Sequence, residues 1–287
     1  MYVSVIEDYL NNYFLAVKRQ LTSSMLSITA KVIYIVLIIV IPFDVTTLIL
    51  LYIVSHASVI FYSLGINKSD IGKYEFDKNW FKEILNFSLW QLFGYSGVYL
   101  INFGDTAVIK YFMTNEDIGI YNAAYQLFNA IASFAFVISS FYASNISSYF
   151  AKGDKRKIKQ FFYRERFYII IASTITHIVV ILFSETIIVT LYGEKFIESV
   201  RIFNILMIGS MFRYASVFYM LYYNTNNKYR LQQILNIFQA VINVILNIIL
   251  IQIIGLIGAA IATVISIILK IIFSFFYCEK RIMKLSN

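Results

Sequence analysis

Charged residues are scarce in this sequence. Of its 287 residues, 14% are Asp, Glu, Lys or Arg and 60% are hydrophobic, and the mean hydropathy is +0.72. A soluble domain carries about 25% charged residues, so this chain has too few to cover a soluble globule of its length. The composition excludes the soluble classes and indicates a membrane protein.

Cysteine, proline and histidine are almost absent. One cysteine, Cys278, excludes an intramolecular disulfide and a cysteine-based metal site, and the two histidines lie in separate apolar segments. The sequence contains no nucleotide-binding glycine loop and no plausible triad. We therefore expect no enzyme, no cofactor and no metal site. A membrane-embedded glycosyltransferase or polymerase remains an alternative, although such enzymes usually carry a large aqueous loop that this sequence lacks.

Eight apolar segments approach or reach the length of about 20 residues that crosses a bilayer. They lie at 24–41, 46–65, 84–104, 118–141, 167–183, 201–222, 233–253 and 256–277. The predicted fold is therefore all-α and polytopic, with about eight transmembrane helices. Residues 1–20 have apolar side chains at three- and four-residue spacing, which predicts an amphipathic helix at the interface or against other helices.

The predicted domain plan has four parts. It comprises an amphipathic segment at 1–23, two transmembrane helices at 24–65, a cytoplasmic loop at 66–82 and a six-helix lobe with a cytoplasmic tail at 83–287.

Lysine and arginine are distributed unevenly between the segments that join the predicted spans. If the C-terminus is cytoplasmic, the inner segments hold 19 of the 24 basic residues and the outer segments hold three. Cytoplasmic loops carry such an excess, so we expect both termini in the cytoplasm. The net charge of +8 then follows from membrane topology. It requires no nucleic-acid partner, and the basic run 152–159 is expected to face anionic membrane lipids.

Two cations fall inside predicted spans, where burying a charge is costly and such residues usually face a cavity. Arg213 and Lys270 lie at similar depths, about 18 and 21 Å from the outer ends of their spans at 1.5 Å per residue. Together they could bind an anionic head group such as a pyrophosphate. The alternative is that each side chain extends to the cytoplasmic face.

Further polar residues in the predicted spans have two interpretations each. Asp105 is a gating or cation-coupling carboxylate, or an interfacial helix cap. His56 and His177 relay protons, or are neutral packing residues. Asn236, Gln239, Asn243 and Asn247 form a stripe that lines a hydrated path or bonds neighbouring helices.

Small residues and one glycine stop predict local structure at three places. Gly119 with Ala123, Gly255 with Ala259 and Gly258 with Ala262 are small pairs four residues apart, which allow close helix packing. Residues 184–200 are apolar enough to form a short interfacial helix that ends at Gly193.

Several motifs resemble those of one transporter family. They are the stretch from Ile101 to Tyr125 with its Asp105 and Gly119-Ile-Tyr121, then Ile6-Glu-Asp-Tyr9, Leu191-Tyr-Gly193, the Asn243/Asn247 pair and Gly255-Leu-Ile-Gly258-Ala-Ala-Ile-Ala-Thr263. In this order the sequence resembles polysaccharide-exporting (O-antigen and capsule repeat-unit, Wzx-type) flippases of the multidrug/oligosaccharidyl-lipid/polysaccharide exporter superfamily. The proline that often precedes the last-hairpin glycine in this family is replaced by Ile251-Gln-Ile-Ile254.

The resemblance implies a function and a set of partners. Similar proteins have twelve or more spans in two six-helix lobes, and they move undecaprenyl-pyrophosphate-linked oligosaccharides across the bacterial cytoplasmic membrane by alternating access for surface polysaccharide biosynthesis. The expected substrate is thus a lipid-linked oligosaccharide, held by Arg213 and Lys270 with Asn243 and Asn247. Asp105, His56 and His177 are candidates for gating or coupling.

The resemblance also implies a complete C-terminal lobe preceded by part of an N-terminal lobe, with about four spans missing. We therefore expect a further N-terminal part, a second chain or copy, or polysaccharide-assembly proteins as partners. Two alternatives stay open: a cation-coupled small-molecule or drug exporter of the same superfamily, and an inactive truncated remnant.

Overall fold

The computed structural model describes residues 2–16, 19–42, 44–66 and 77–284. Within these ranges every regular element is a helix. The chain divides into two compact units, Met1–Asp77 and Lys78–Asn287. Most of the predicted cytoplasmic loop, at 67–76, and the last residues of the predicted tail, 285–287, lie outside the described residues.

The first unit contains the helices α1 (Tyr2–Ala16), α2 (Gln20–Val40) and α3 (Val45–Ile66). Leu10 and Phe14 of the amphipathic α1 are buried against Leu26 and Val59 of α2 and α3. The apolar face of α1 therefore packs against other helices.

A carboxylate caps the start of α3. Asp44 accepts hydrogen bonds from the Thr47 amide at 2.8 Å and from the Thr47 hydroxyl at 2.6 Å. These bonds hold the pKa of Asp44 below its usual value and satisfy backbone donors at the helix start.

The second unit contains the remaining helices. They are α4 (Lys78–Phe112), α5 (Asn115–Ala151), α6 (Lys155–Gln160), α7 (Arg166–Leu182), α8 (Ser184–Tyr192), α9 (Ser199–Thr225), α10 (Tyr229–Ile254) and α11 (Leu256–Lys284). A π-helical turn, Phe161–Glu165, joins α6 to α7, and a short 3-10 turn, Glu194–Phe196, precedes α9. In the packing, α4 lies against α10, α10 and α9 lie against α11, and α5 and α7 lie against α9.

Six helices of the described chain are long and apolar enough to cross a membrane. They are Val45–Gly65, Asn115–Ala151, Lys155–Leu182, Ser199–Thr225, Tyr229–Ile254 and Leu256–Ile282. These helices confirm the predicted all-α, polytopic membrane fold. The other two predicted spans also lie in helices: α2 has a shorter apolar stretch, Met25–Val40, and α4 is long but carries polar residues such as Gln91, Asn102 and Asp105.

The connection between α4 and α5 is shorter than the sequence suggests. The helix α4 continues to Phe112, and Thr114 starts α5 through a capping box, in which the Asp117 amide donates to the Thr114 hydroxyl at 3.3 Å and the Thr114 amide donates to the Asp117 carboxylate at 3.0 Å. Asp105 consequently lies inside α4 and is fully buried. The expectation that Asp105 could be an interfacial helix cap was wrong, because Thr114 and Asp117 fill that role.

The short helix predicted at 184–200 is present as α8, and it ends at Gly193, whose φ is 90°. The last hairpin turns at Gly255, whose φ of 64° is a left-handed value that favours glycine. At Gly258, an added Cβ would collide with the backbone of Leu250. The small residues at this turn therefore allow the ends of α10 and α11 to touch.

Close approach between α4 and α10 depends on two glycines of α4. A Cβ at Gly94 would collide with the Gln233 side chain, and a Cβ at Gly97 would lie 3.0 Å from the Asn236 backbone. The predicted pair partner Gly119 has more space, since its nearest neighbour would be Phe196 at 3.9 Å.

Candidate functional site

A polar cavity of about 610 Å³ lies inside the second unit. Side chains from α4, α5, α9, α10 and α11 line it, and they include amides, hydroxyls and aromatic rings. A polar cavity among membrane-spanning helices is a candidate site for a substrate that cannot dissolve in lipid.

The structure brings Arg213 and Lys270 together in the wall of this cavity. Each lies 14 residues after the first residue of its helix, Ser199 in α9 and Leu256 in α11. Lys270 Nζ donates to Asn236 Oδ1 at 2.7 Å, and the Arg213 guanidinium lies 5.2 Å from the centre of the Phe128 ring. Both side chains therefore face the cavity of the second unit.

No carboxylate neutralises these two cations within the described part of the chain. A cation that is removed from water without an ionic partner is costly. Two such cations facing one cavity attract an anionic group, and an arginine provides bidentate geometry for phosphate oxygens.

A continuous chain of hydrogen bonds runs from Lys270 across the cavity wall. Asn236, which accepts from Lys270, donates to Gln233 Oε1 at 3.0 Å. Gln233 in turn donates to Gln91 Oε1 on α4 at 2.6 Å. This chain, Lys270–Asn236–Gln233–Gln91, fixes the orientation of each amide and holds the ammonium group of Lys270 in the cavity.

The polar stripe of α10 is divided between two environments. Asn236 and Gln239 line the cavity, whereas Asn243 and Asn247 are fully buried and are not among its lining residues. The structure thus places Asn243 and Asn247 beside Asp105 and Thr263 and not in the cavity wall with Arg213 and Lys270. Their contact with substrate stays a prediction.

Asp105 is the centre of a buried polar cluster between four helices. Its carboxylate accepts from Asn247 Nδ2 at 2.7 Å, from Thr263 Oγ1 at 2.6 Å and from the Tyr121 hydroxyl. Asn243 Nδ2 donates to the same threonine at 3.1 Å. All donors to Asp105 in the described chain are neutral, and the side-chain oxygens of Asn243 and Asn247 are buried without a hydrogen-bond partner.

Tyr125 connects the Asp105 cluster to the cavity. Its hydroxyl donates to the backbone oxygen of Ile101 at 3.0 Å and lies 3.4 Å from Asn102 Oδ1. Ile101 and Asn102 both line the cavity, and Asp105 lies one turn further along α4. The cluster therefore adjoins the end of the cavity beyond the two cations.

Both ring nitrogens of His177 are occupied. Nδ1 lies 2.7 Å from the Ser173 backbone oxygen and Nε2 lies 2.8 Å from the Ser210 hydroxyl. Neither serine lines the cavity. This arrangement favours the packing interpretation of His177, as a buried contact between α7 and α9.

His56 belongs to the first unit, where it is buried between Glu7 and Tyr52. His56 Nε2 lies 3.5 Å from Glu7 Oε2, and Nδ1 lies 2.9 Å from the Tyr52 backbone oxygen. The Tyr52 ring stacks on the imidazole at 4.0 Å. His56 therefore joins α1 to α3 within that unit.

Sequence reasoning missed a buried ion pair. Arg166 Nη2 donates to Glu279 Oε1 at 2.5 Å, and the hydroxyls of Tyr219 and Tyr163 donate to the same carboxylate at 2.7 and 3.1 Å. The predicted fifth span, 167–183, begins immediately after Arg166. The pairing lets the helical segment extend over Lys155–Leu182.

Residues 3–201, which are more than half of the chain, match a family model described as "Polysaccharide biosynthesis protein". No curated protein matches the sequence.

Solved structures with a similar fold are all described as MATE or flippase proteins. The crystal structure of MATE in the straight conformation has a TM-score of 0.69 at 16% identity, covering 99% of this chain and 67% of that chain. The outward-facing conformation of a multidrug resistance MATE family transporter of the MOP superfamily has a TM-score of 0.67 at 16% identity, with coverage of 99% and 67%.

The inward closed conformation of lipid II flippase MurJ has a TM-score of 0.61 at 20% identity, covering 93% of this chain and 58% of that chain. At these identities the likeness establishes a shared fold. The chain spans about two thirds or less of the length of these structures.

Proposed function

This chain belongs to the polysaccharide biosynthesis protein family, and on that premise we propose that it serves to translocate undecaprenyl-pyrophosphate-linked oligosaccharide repeat units across the bacterial cytoplasmic membrane. Translocation would proceed by alternating access, without a covalent intermediate and without enzyme activity. The proposed orientation has both termini in the cytoplasm, as the distribution of basic residues indicates.

The observation that carries the proposal is the pair of cations in one polar cavity. Arg213 and Lys270 line the same space, and neither has a carboxylate partner in the described chain. A diphosphate supplies the negative charge that this pair lacks, and its oxygens suit the planar donors of arginine. The apolar lipid tail would remain in the bilayer.

Alternating access in such transporters moves one repeat or lobe against another around a fixed site. This chain spans 67% of the first MATE structure and 58% of the MurJ structure. We therefore propose translocation for an assembly that contains this chain, together with a further N-terminal part, a second chain or a second copy.

We expect Arg213→Ala to reduce surface polysaccharide when the variant is expressed, with any partner it requires, in cells that lack their own repeat-unit flippase. Loss of charge-assisted hydrogen bonds to the diphosphate should weaken binding roughly 10- to 100-fold. The readouts are surface polysaccharide and the amount of the chain in the membrane.

Arg201→Ala is the matched control, since Arg201 is an exposed arginine on the same helix that does not line the cavity. It should leave surface polysaccharide unchanged. Wild-type polysaccharide levels with Arg213→Ala would remove Arg213, and with it the proposed site, from the mechanism.

The second candidate, a cation-coupled small-molecule exporter, is favoured by the Asp105 cluster. The buried carboxylate of Asp105 can bind a proton. Together with the unpartnered side-chain oxygens of Asn243 and Asn247 it can also offer oxygen ligands to a monovalent cation. The same cluster could also couple oligosaccharide translocation to an ion gradient.

We expect Asp105→Asn to abolish the dependence of transport on a sodium or proton gradient, because the neutral amide cannot exchange a proton or balance a cation. Transport would be measured in vesicles with and without each gradient. Glu116→Gln, an exposed carboxylate at the start of α5, is the control. Gradient-dependent transport that survives in Asp105→Asn would exclude Asp105 from coupling.

A further inference from the structure

One end of the cavity has a different chemistry from the two cations. It is lined by three amides and two hydroxyls, here called the amide end: Gln91, Tyr223, Gln232, Gln233 and Ser274. Gln232 and Gln233 lie within the first five residues of α10, and Tyr223 lies in the last turn of α9. The amide end is therefore opposite the end that adjoins the Asp105 cluster.

The amide end is built into the fold. Gln233 is 5% exposed and is held between Gln91 and Asn236 by hydrogen bonds of 2.6 and 3.0 Å. Its side chain occupies space that exists because residue 94 is glycine, where a Cβ would collide with it. This fit requires α4 and α10 to approach each other at this point.

The amide end also contains polar groups with unused hydrogen-bonding capacity. Gln232 Oε1 is buried and has no hydrogen-bond partner in the described chain. The buried Tyr223 hydroxyl lies near the side chains of Ser274 and Cys278. Gln91 accepts from Gln233 through Oε1, which leaves its NH2 group as a donor. The Gln232 acceptor and the Gln91 donor therefore face one cavity without satisfying each other, beside the hydroxyl of Tyr223.

None of the described lining residues is acidic, and both cations lie outside the amide end. A ligand group that fits there is uncharged and carries both donors and acceptors. Sugar hydroxyl and acetamido groups have this character, and a tyrosine ring offers a face for the apolar side of a sugar ring.

The amide end lies a short distance from Lys270. Lys270 is bonded to Asn236, and Gln233 lies three residues before Asn236 on the same helix. Three residues rise about 4.5 Å along a helix. A group bound at the amide end is therefore close enough to a group bound by Lys270 for the two to be joined directly by a covalent bond.

We propose that the amide end is a subsite for an uncharged sugar attached directly to the diphosphate that Arg213 and Lys270 bind. The proposal rests on the proposed function. In this subsite Gln232 accepts a hydrogen bond from the sugar, Gln91 donates one, and Tyr223 does either. The chain Lys270–Asn236–Gln233–Gln91 sets the spacing between the diphosphate and the sugar.

The test measures binding of three water-soluble probes to the purified full chain in detergent. The probes are farnesyl diphosphate, farnesyl diphosphate linked to N-acetylglucosamine, and farnesyl diphosphate linked to glucuronic acid. The wild-type chain should bind the N-acetylglucosamine probe more tightly than the other two, by roughly fivefold for each hydrogen bond gained.

Gln232→Leu should remove about fivefold of this preference and leave the affinity for farnesyl diphosphate unchanged. Gln252→Leu is the matched control, since Gln252 is an exposed glutamine on the same helix whose amide donates to the backbone oxygen of Ile248. Tyr223→Phe is a second variant, which keeps the ring and removes the hydroxyl alone. Arg213→Ala should weaken binding of all three probes.

Two results would overturn the subsite while leaving the diphosphate site in place. One is equal affinity of the wild-type chain for farnesyl diphosphate and the N-acetylglucosamine probe. The other is an equal loss for all probes in Gln232→Leu and Tyr223→Phe, which would mark a structural role. If the wild-type chain binds no probe, the proposed function fails and the subsite falls with it.

Discussion

At the scale of single residues, Arg166 and Glu279 show how this chain keeps charges inside a membrane fold. They are 8% and 4% exposed and are bonded to each other at 2.5 Å. The guanidinium also lies 5.3 and 5.2 Å from the rings of Phe162 and Tyr219. Each charge is neutralised locally, in contrast to Arg213 and Lys270.

We expect Glu279→Leu to destabilise the fold by about 3–5 kcal/mol, because it leaves Arg166 buried without a partner. The measurement is thermal or denaturant unfolding of the purified chain in detergent. The double variant Arg166→Met/Glu279→Leu should recover most of this loss, since apolar residues of similar volume often replace a buried pair at little cost. A double variant as unstable as Glu279→Leu would show that the ion pair itself contributes the stability.

At the scale of helices, the α10–α11 hairpin depends on one backbone conformation. Gly255 has φ 64° and ψ −146°, a region that is almost restricted to glycine. The turn brings the fully buried Ala259 and Ala262 against their neighbours. It thereby places Thr263 beside Asp105 and Lys270 beside Asn236.

We expect Gly255→Ala to destabilise the chain by about 1–3 kcal/mol, because a Cβ disfavours this conformation. Gly119→Ala is the control, since Gly119 is helical and an added Cβ there would make an ordinary contact at 3.9 Å. The control should be neutral or slightly stabilising. Equal unfolding temperatures for Gly255→Ala and the wild-type chain would contradict the strain argument.

At the scale of the whole molecule, the proposed function depends on the side of the membrane to which each end of the cavity is directed. The natural sequence suits a direct test. Its single cysteine, Cys278, is fully buried, so a membrane-impermeant thiol reagent should react poorly with it.

We expect a cysteine introduced at Lys155 to be labelled from the cytoplasmic side and one introduced at Lys195 to be labelled from the outside, because the basic residues near 155 belong to a predicted inner segment. Both positions are exposed. Labelling would be compared in intact cells and in inverted vesicles, with the wild-type chain as background. Labelling of position 155 in intact cells would show that the topology is the reverse of the proposed one. The proposed direction of entry into the cavity would then be wrong as well.

Much of the fold could be predicted because the bilayer restricts the possibilities. With few charges and long apolar segments, a chain can span a membrane only if its backbone bonds internally, and helices achieve this. The segment boundaries were less accurate. The predicted end of α4 at 104 fell short of Phe112, and the fifth span missed the residues before 167, because polar residues satisfied by distant partners look like loop residues in the sequence.

Part of the candidate site could also be predicted. Arg213 and Lys270 lie at similar distances from the outer ends of their predicted spans, which predicts a similar depth in the membrane. In the structure both residues line one cavity. Gln91 and Gln233 were missed, although the glycines at 94 and 97 are a signal of close helix approach. The position of Asn243 and Asn247 beside Asp105 could not be predicted, because a polar stripe does not reveal which helix it faces.

The sequence by itself determined that the chain lies in a membrane, that it is helical, and which charged and polar residues fall inside its spans. These properties depend on the composition and periodicity of local segments. The tertiary structure alone decided which polar groups meet. Asp105 bonds Asn247 and Thr263 across 142 and 158 residues, and Gln91 bonds Gln233 across 142. Helical periodicity fixes the direction of a side chain relative to its own axis, whereas contacts between helices depend on packing that involves the whole unit.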